Sequence, residues 1–233
     1  MSDKHISSQF DAELNRISTR VLEMGGVVES QLQQVLYALS SFSCETCGQV
    51  LEIEDRINRM EVEIDHDVTS TMSRRQPTAR DLRLLVGVSR ILINLERAGD
   101  EITTIARNLR SALENGMPRS LPTTELRVAG NLAADLLHRA LDALARMDVQ
   151  AALAVIKSDE AIDSEYEGLT RKLLTYMMED PRTISAGLNL MFLARAIERV
   201  GDHASNIAEA VIYVAKGADV RHATPEQREA AVK

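Results

Sequence analysis

One phrase occurs twice in this chain and fixes its plan. Residues 95–102 read Leu-Glu-Arg-Ala-Gly-Asp-Glu-Ile, and residues 197–204 read Ile-Glu-Arg-Val-Gly-Asp-His-Ala. The shared core is apolar-Glu-Arg-x-Gly-Asp, and the copies lie about one hundred residues apart in a chain of 233. A repeat at that spacing implies two similar halves, each carrying one acidic signature on a helix.

The hydrophobic period says what the halves are made of. A first helix is expected from about His5 to Phe42, with a seam of Leu14, Ile17, Val21, Met24, Val28, Leu32, Val35 and Leu39. Those steps of three and four are the period of helices packed in a bundle. Gly25-Gly26 interrupts the run and marks a bend or a tight crossing. A second helix is expected from about Glu45 to Arg75, ended by Gln76-Pro77, because the residue before proline is pushed out of the α region. Ala79 to Glu114 carries an unbroken seam from Leu85 to Leu113 and reads as the third helix, N-capped by Thr78 and closed by Asn115-Gly116. Met117 to Thr123, with Pro118 and Pro122, reads as the linker between halves.

The second half repeats the plan. Helices are expected from about Thr124 to Arg146, from the Asp148 N-cap to about Glu179, and from about Thr183 to Lys216, where Gly217 ends the last one. The tail from about Ala218 is polar and is expected to fray. The fold class is therefore all-α: two tandem, pseudo-symmetric three-helix bundles of long antiparallel helices, residues 1–116 and 117–233. A 36-residue helix is about 54 Å long, so the molecule should be elongated.

Composition narrows the function. Aromatic residues are 3% with no Trp, which leaves the core to Leu, Ile, Val, Met and Ala and favours helix packing over a β-sandwich. A net charge of −8 argues against nucleic acid, which requires a basic footprint or stacking platforms. No stretch approaches the ~18 apolar residues of a membrane span, and the first residues lack the apolar run of a signal peptide. A cytoplasmic protein is the expectation. Cys44 and Cys47 form a lone Cys-x-x-Cys with no second ligand pair, and read as ordinary thiols near a turn.

The phrase also carries the candidate chemistry. Glu96 and Asp100 are four apart, as are Glu198 and Asp202, so each pair shares a helix face. Like charges so placed repel by roughly 0.2–0.5 kcal/mol, and a cation, a basic side chain or water must offset that. Gly99 and Gly201 sit inside the phrase; glycine in mid-helix costs about 1 kcal/mol against alanine, which points to a close approach of another backbone. The middle helix of the second half adds Asp159 and Asp163, again four apart. Aligning Ile57 with Ile162 sets Glu54 and Asn58 opposite them in the first half. The second half could thus present Asp159, Asp163, Glu198 and Asp202, and the first Glu54, Asn58, Glu96 and Asp100, to a shared cation. Hard oxygen ligands suit magnesium, calcium, manganese or ferric iron. Against this stands a plain reading, in which the acids are solvated or neutralised by Arg97 and Arg199. His203, where the first copy has Glu101, reads as a surface residue. A di-iron enzyme would need Glu-x-x-His pairs, which neither phrase contains. No phosphate loop, nucleophile elbow or His-Glu-x-x-His is present, so no catalytic role is expected.

The doubled phrase, the stretch from Arg75 to Arg83 (Arg-Gln-Pro-Thr-Ala-Arg-Asp-Leu-Arg), Glu165-Tyr166-Glu167-Gly168, and Met177-Met178-Glu179-Asp180-Pro181-Arg182-Thr183-Ile184 together resemble the PhoU family over about residues 4–222. The resemblance implies two three-helix bundles in a cytoplasmic, usually dimeric protein. It implies a non-enzymatic negative regulator of phosphate uptake and the phosphate-starvation response. Such proteins are thought to link the ATPase subunit of a phosphate ABC transporter to a membrane sensor histidine kinase, meeting the membrane only through these partners. In metal-bearing members, acidic pairs on two helices hold iron, zinc, magnesium or manganese. Carried over, those pairs are Glu96/Asp100, Glu198/Asp202 and Asp159/Asp163. Glu54/Asn58 departs from the pattern, because Asn58 is neutral. The alternative is a metal store or metalloenzyme built on the same carboxylates.

Overall fold

The computed structural model describes residues 8–116 and 121–232. Helix α1 spans Ser8–Ser41, α2 Cys44–Arg75, α3 Ala79–Glu114, α4 Thr123–Arg146, α5 Val149–Ser158, α6 Glu160–Glu179, α7 Ile184–Lys216 and α8 Pro225–Val232, with a 3₁₀ turn at Pro181–Thr183 before α7. The all-α fold of two three-helix units is as expected: α1–α3 form one, and α4, α5/α6 and α7 the other. Most of the expected linker, and the first residues of the expected 5–42 helix, lie outside the described residues.

The boundaries follow local chemistry. The Ser43 side chain accepts from Thr46 N to start α2, and the Asp148 carboxylate accepts from Gln150 N and Ala151 N, both at 3.0 Å, to start α5. Thr78 is in position as the N-cap of α3, but its hydroxyl makes no cap bond. Gly217 closes α7 at φ +75°, its N–H donating to Tyr213 O. Cys44 and Cys47 sit in the first turn of α2. Cys47 is buried, which pushes its thiol up to about 11 and disfavours the reactive thiolate.

Two features differ from the expectation. The middle helix of the second half is interrupted at Asp159, where Ile162 N donates to Asp159 O at 2.9 Å in a tight i,i+3 turn. The tail, expected to fray, folds back as α8. A reciprocal capping box starts it: Thr224 N donates to Gln227 Oε1 at 2.9 Å, and Gln227 N to Thr224 Oγ1 at 3.3 Å. Val220 and Val232 then enter the core, and Arg228 reaches Glu209 of α7 at 3.2 Å. A few apolar anchors in a polar stretch suffice to dock it on α5 and α7.

The two units share one continuous apolar core. Helices α3 and α7 have the most extensive contact in the molecule, and α1 crosses α4 beside them. Gly25 of α1 accepts Leu141 of α4, and Gly130 of α4 accepts Leu36 of α1; an added Cβ would lie 2.5 and 2.3 Å from those leucine methyls. Both the glycines and the leucines are 105 positions apart. The halves are therefore related by a pseudo-two-fold axis through this crossing. Of the Gly25-Gly26 pair, Gly25 marks a tight crossing, and α1 continues unbroken through both. Helices α2 and α6 flank the centre on opposite sides, each packed only within its own unit among the described residues. No described helix is long and apolar enough to cross a membrane.

Candidate metal site

The repeated phrase lies in mid-helix on α3 and α7, on the side turned toward α2 and α6. Its glycines serve the same purpose in both halves. Ile57 of α2 packs on Gly99 and Ile162 of α6 packs on Gly201, where an added Cβ would lie 3.1 and 2.7 Å from the isoleucine Cδ1. The close approach expected at these glycines is thus made by a side chain and not by a backbone. At Gly201 it also admits Asp159, whose Oδ1 would lie 3.3 Å from that Cβ.

In the second half the carboxylates converge. Asp163, Glu198 and Asp202 each bring an oxygen within 4.8 Å of the others. Asp159 stands beside them, facing Asp202 and Ser205. Burial pushes the Glu198 carboxyl up to about 7; Asp202 adds to the rise and Arg195 opposes it. Burial, then Asp202, likewise lifts Asp159 to about 6. Asp202 is raised too, by burial and by Asp163, with Arg195 and Arg199 opposing. Arg195, one turn before Glu198, donates from Nη1 to Glu198 Oε1 at 2.6 Å. Glu198 Oε2 is buried with no hydrogen-bond partner. A crowded set of hard oxygens, one of them buried and unsatisfied, is what a cation of high charge density would complete. The residues fit such an ion.

In the first half the arrangement changes. Glu96 is lifted to about 6 by burial, then by Asp100 and Glu61, with Arg97 opposing. Glu61 is raised by burial, Asp65 and Asp100. The acid that α2 brings to the phrase is therefore Glu61, with Asp65 one turn on. Glu54 instead accepts from Arg107 Nη2 at 3.0 Å, and Asn58 is exposed. The aligned register of Ile57 and Ile162 holds, but the acids sit on different sides of that isoleucine. Because α2 runs antiparallel to α3, stepping four residues past Ile57 to Glu61 meets Glu96, three residues before Gly99. Glu61 and Asp65 repeat the i,i+4 spacing, which is the signal that sequence reasoning passed over.

The basic residues also differ from the plain reading. Arg199 crosses to α3 and pairs with Glu101 at 2.9 Å, and it is Arg195 that meets the acids directly. His203, expected at the surface, is 7% exposed. Its Nδ1 lies 3.1 Å from Asn94 Oδ1, which also accepts from Asn206 Nδ2 at 3.1 Å. Burial, then Arg199 and Arg97, pushes the imidazole down to about 4. It faces α3, away from the acids of α6, because position 203 lies on the inter-unit side of α7.

A model of the PhoU domain matches residues 21–109 and 126–211, one copy in each half. This chain belongs to the PhoU family. It is 46% identical over 219 residues to the phosphate-specific transport system accessory protein PhoU homolog of Pseudomonas aeruginosa, covering 94% of this chain and 90% of that protein. To the accessory protein PhoU of Escherichia coli K12 it is 43% identical over 221 residues, with the same coverage. The crystal structure of PhoU from Pseudomonas aeruginosa superposes with a TM-score of 0.87 at 44% identity, over 90% of this chain and all of that one. The phosphate transport system regulatory protein PhoU of Streptococcus pneumoniae gives 0.83 at 25% identity, over 91% of this chain and 99% of that one.

Proposed function

We propose that this protein is an accessory regulator of phosphate transport, acting without catalysis as a negative regulator of uptake and of the phosphate-starvation response. The observation that carries this reading is the near full-length match to accessory proteins of the phosphate-specific transport system, across both helical units. In the finer form of the proposal, a cytoplasmic homodimer links the transporter's ATPase subunit to the sensor histidine kinase. Long rigid helices supply two broad faces for such partners. Binding must favour one partner state over another, since equal affinity for both would switch nothing. Deleting the gene should derepress phosphate-starvation genes in high phosphate. Unchanged expression of those genes in the deletion strain would overturn the proposal.

A cation is part of the reading. Asp163, Glu198 and Asp202, with Asp159 beside them, would hold iron, zinc, magnesium or manganese, the hard ions fitting best. When bound, the ion supplies positive charge that removes the repulsion among these acids and ties α6 to α7. Asp159 and Asp163 would then be fixed against α7, stiffening the outer face of the second unit. The buried, unpartnered Glu198 Oε2 favours this over a solvated acidic face. Such an ion would serve structure or signalling; a metal store or metalloenzyme is the competing use of the same carboxylates. Metal-dependent turnover lost in Asp202→Ala, with regulation intact, would favour the competitor.

A further inference from the structure

The contact between α3 and α7 breaks the pseudo-two-fold symmetry at one ion pair. On one side Arg199 pairs with Glu101 at 2.9 Å. The axis exchanges Arg199 with Arg97 and Glu101 with His203, which hold the same places in the repeated phrase. Arg97 therefore shares its side of the contact with an imidazole where Arg199 has a carboxylate. Among the described residues Arg97 makes no ion pair or hydrogen bond.

Arg97 and His203 border a cleft of about 300 Å³, lined also by Arg90, Asn94, Asn206 and Arg221. The carboxylates in and beside it, Glu209 and Asp219, are already matched. Asp219 takes both Nε and Nη2 of Arg221, at 2.9 and 2.6 Å, with Arg90 at 3.6 Å. Glu209 is held by Arg228 of α8 at 3.2 Å. The charged residues that line the cleft, Arg90, Arg97 and Arg221 against Glu209, leave an excess of two positive charges. The chain as a whole carries −8. The guanidinium of Arg90 lies over the Tyr213 ring, 4.2 Å from its centroid, and is thereby held at the cleft wall. Asn206 keeps a second amide hydrogen beyond the one it gives Asn94.

We propose that this cleft binds a small tetrahedral oxyanion, of phosphate or sulfate type, whose charge takes the place that Glu101 fills on the other side of the axis. Arginine forks match such oxygens in two-point hydrogen bonds. Because the cleft joins α3 to α7, the bound anion would fasten the two units together at their seam. The site is separate from the acidic clusters, which face α2 and α6. The proposal stands whether or not the protein regulates transport.

The test is calorimetric titration of the full chain with inorganic phosphate at low ionic strength near neutral pH, with sulfate and acetate as parallel arms. Saturable binding of one phosphate per chain is expected, with sulfate competing. Arg97→Gln should weaken it roughly tenfold or more. His203→Glu should abolish it by giving Arg97 the carboxylate that Arg199 already has. Arg107→Gln, at a distant pair on α3, should leave it unchanged. Arg97 is exposed, so Arg97→Gln folds and decides the matter even where His203→Glu does not. No saturable binding at millimolar phosphate would overturn the proposal. So would equal affinity in the wild type and Arg97→Gln, or binding of acetate alone.

Discussion

The two acidic clusters began as the same phrase and are now different sites. Both hold an i,i+4 pair of acids on the third helix of a unit, and both use a glycine to seat an isoleucine from the middle helix. In the second unit the middle helix adds Asp159, at the interruption between α5 and α6, and Asp163, the two flanking Ile162 in sequence. In the first unit the corresponding places are Glu54, turned to Arg107, and Asn58, while Glu61 approaches from the far side of Ile57. Tyr166 stands where Glu61 would fall in the second unit, and the guanidinium of Arg195 lies 5.6 Å from its ring centroid while also holding Glu198. The equivalent of Arg195 in the first unit is Ile93. Duplication preserved the packing geometry and let the charges move around it, because packing at the glycine is sterically demanding and carboxylates need only share a solvent-edged face.

On the proposed reading, the second cluster is the one expected to bind a cation more tightly, because only there do three carboxylates from two helices converge. Glu198→Ala/Asp202→Ala should lower the affinity for Mn²⁺ by roughly a hundredfold or more, read by titration and by metal content on untagged protein. Glu96→Ala/Asp100→Ala should lower total binding far less. Equal losses would erase the distinction between the clusters.

The pH dependence should separate them next. Glu198 folds with its carboxyl near 7, above an ordinary value of 4.5, so between those limits the folded protein holds more protons than the unfolded one. Stability therefore falls as pH rises through that window and levels off above it, by about 3 kcal/mol for this group without metal. Glu198→Gln should flatten the slope more than Glu96→Gln, since Glu96 rises only to about 6. Saturating Mn²⁺ should suppress the slope in the wild type. Urea denaturation across pH is the measurement, and a slope of the opposite sign would refute the assignment.

A smaller effect is expected at the glycines. An alanine methyl at Gly201 would sit 2.7 Å from Ile162 Cδ1 and 3.3 Å from Asp159, against 3.1 Å from Ile57 at Gly99. Overpacking, set against the helix-propensity gain, should make Gly201→Ala about 1 kcal/mol less stable and Gly99→Ala nearly neutral. Gly201→Ala should also weaken cation binding, by displacing Asp159. Thermal melts with and without Mn²⁺ read both. The smallest change belongs to Glu54→Gln, which should cost under about 0.5 kcal/mol, the scale of a partly exposed ion pair with Arg107, and leave cation affinity intact.

Much of this molecule was legible in sequence because its helices are long and their seams regular. The ends of α2, α3, α4 and α7 fall within a residue of where capping and proline chemistry puts them. Asp159, Asp163, Glu198 and Asp202 could be named together because their spacings and the repeat agree. Glu61 was missed although it forms an i,i+4 pair with Asp65, because alignment on Ile57 fixes a register and not the direction from which an acid reaches the partner helix. The interruption at Asp159 carries no glycine or proline to announce it. Tail helix α8 was hidden by its polar composition, although Thr224 and Gln227 spell a capping box.

The sequence by itself determined the long helical segments, the repeat and the acidic pairs on α3 and α7, since these rest on periods of three to four residues and on local capping. Only the tertiary structure decided which side of the repeated phrase meets α6 and which meets the other unit. That division sends Glu198 and Asp202 to a cluster of acids and His203 to a cluster of arginines within a single turn and a half of helix. The physical reason is that a helix displays every face equally in sequence, and packing alone assigns each face its neighbour.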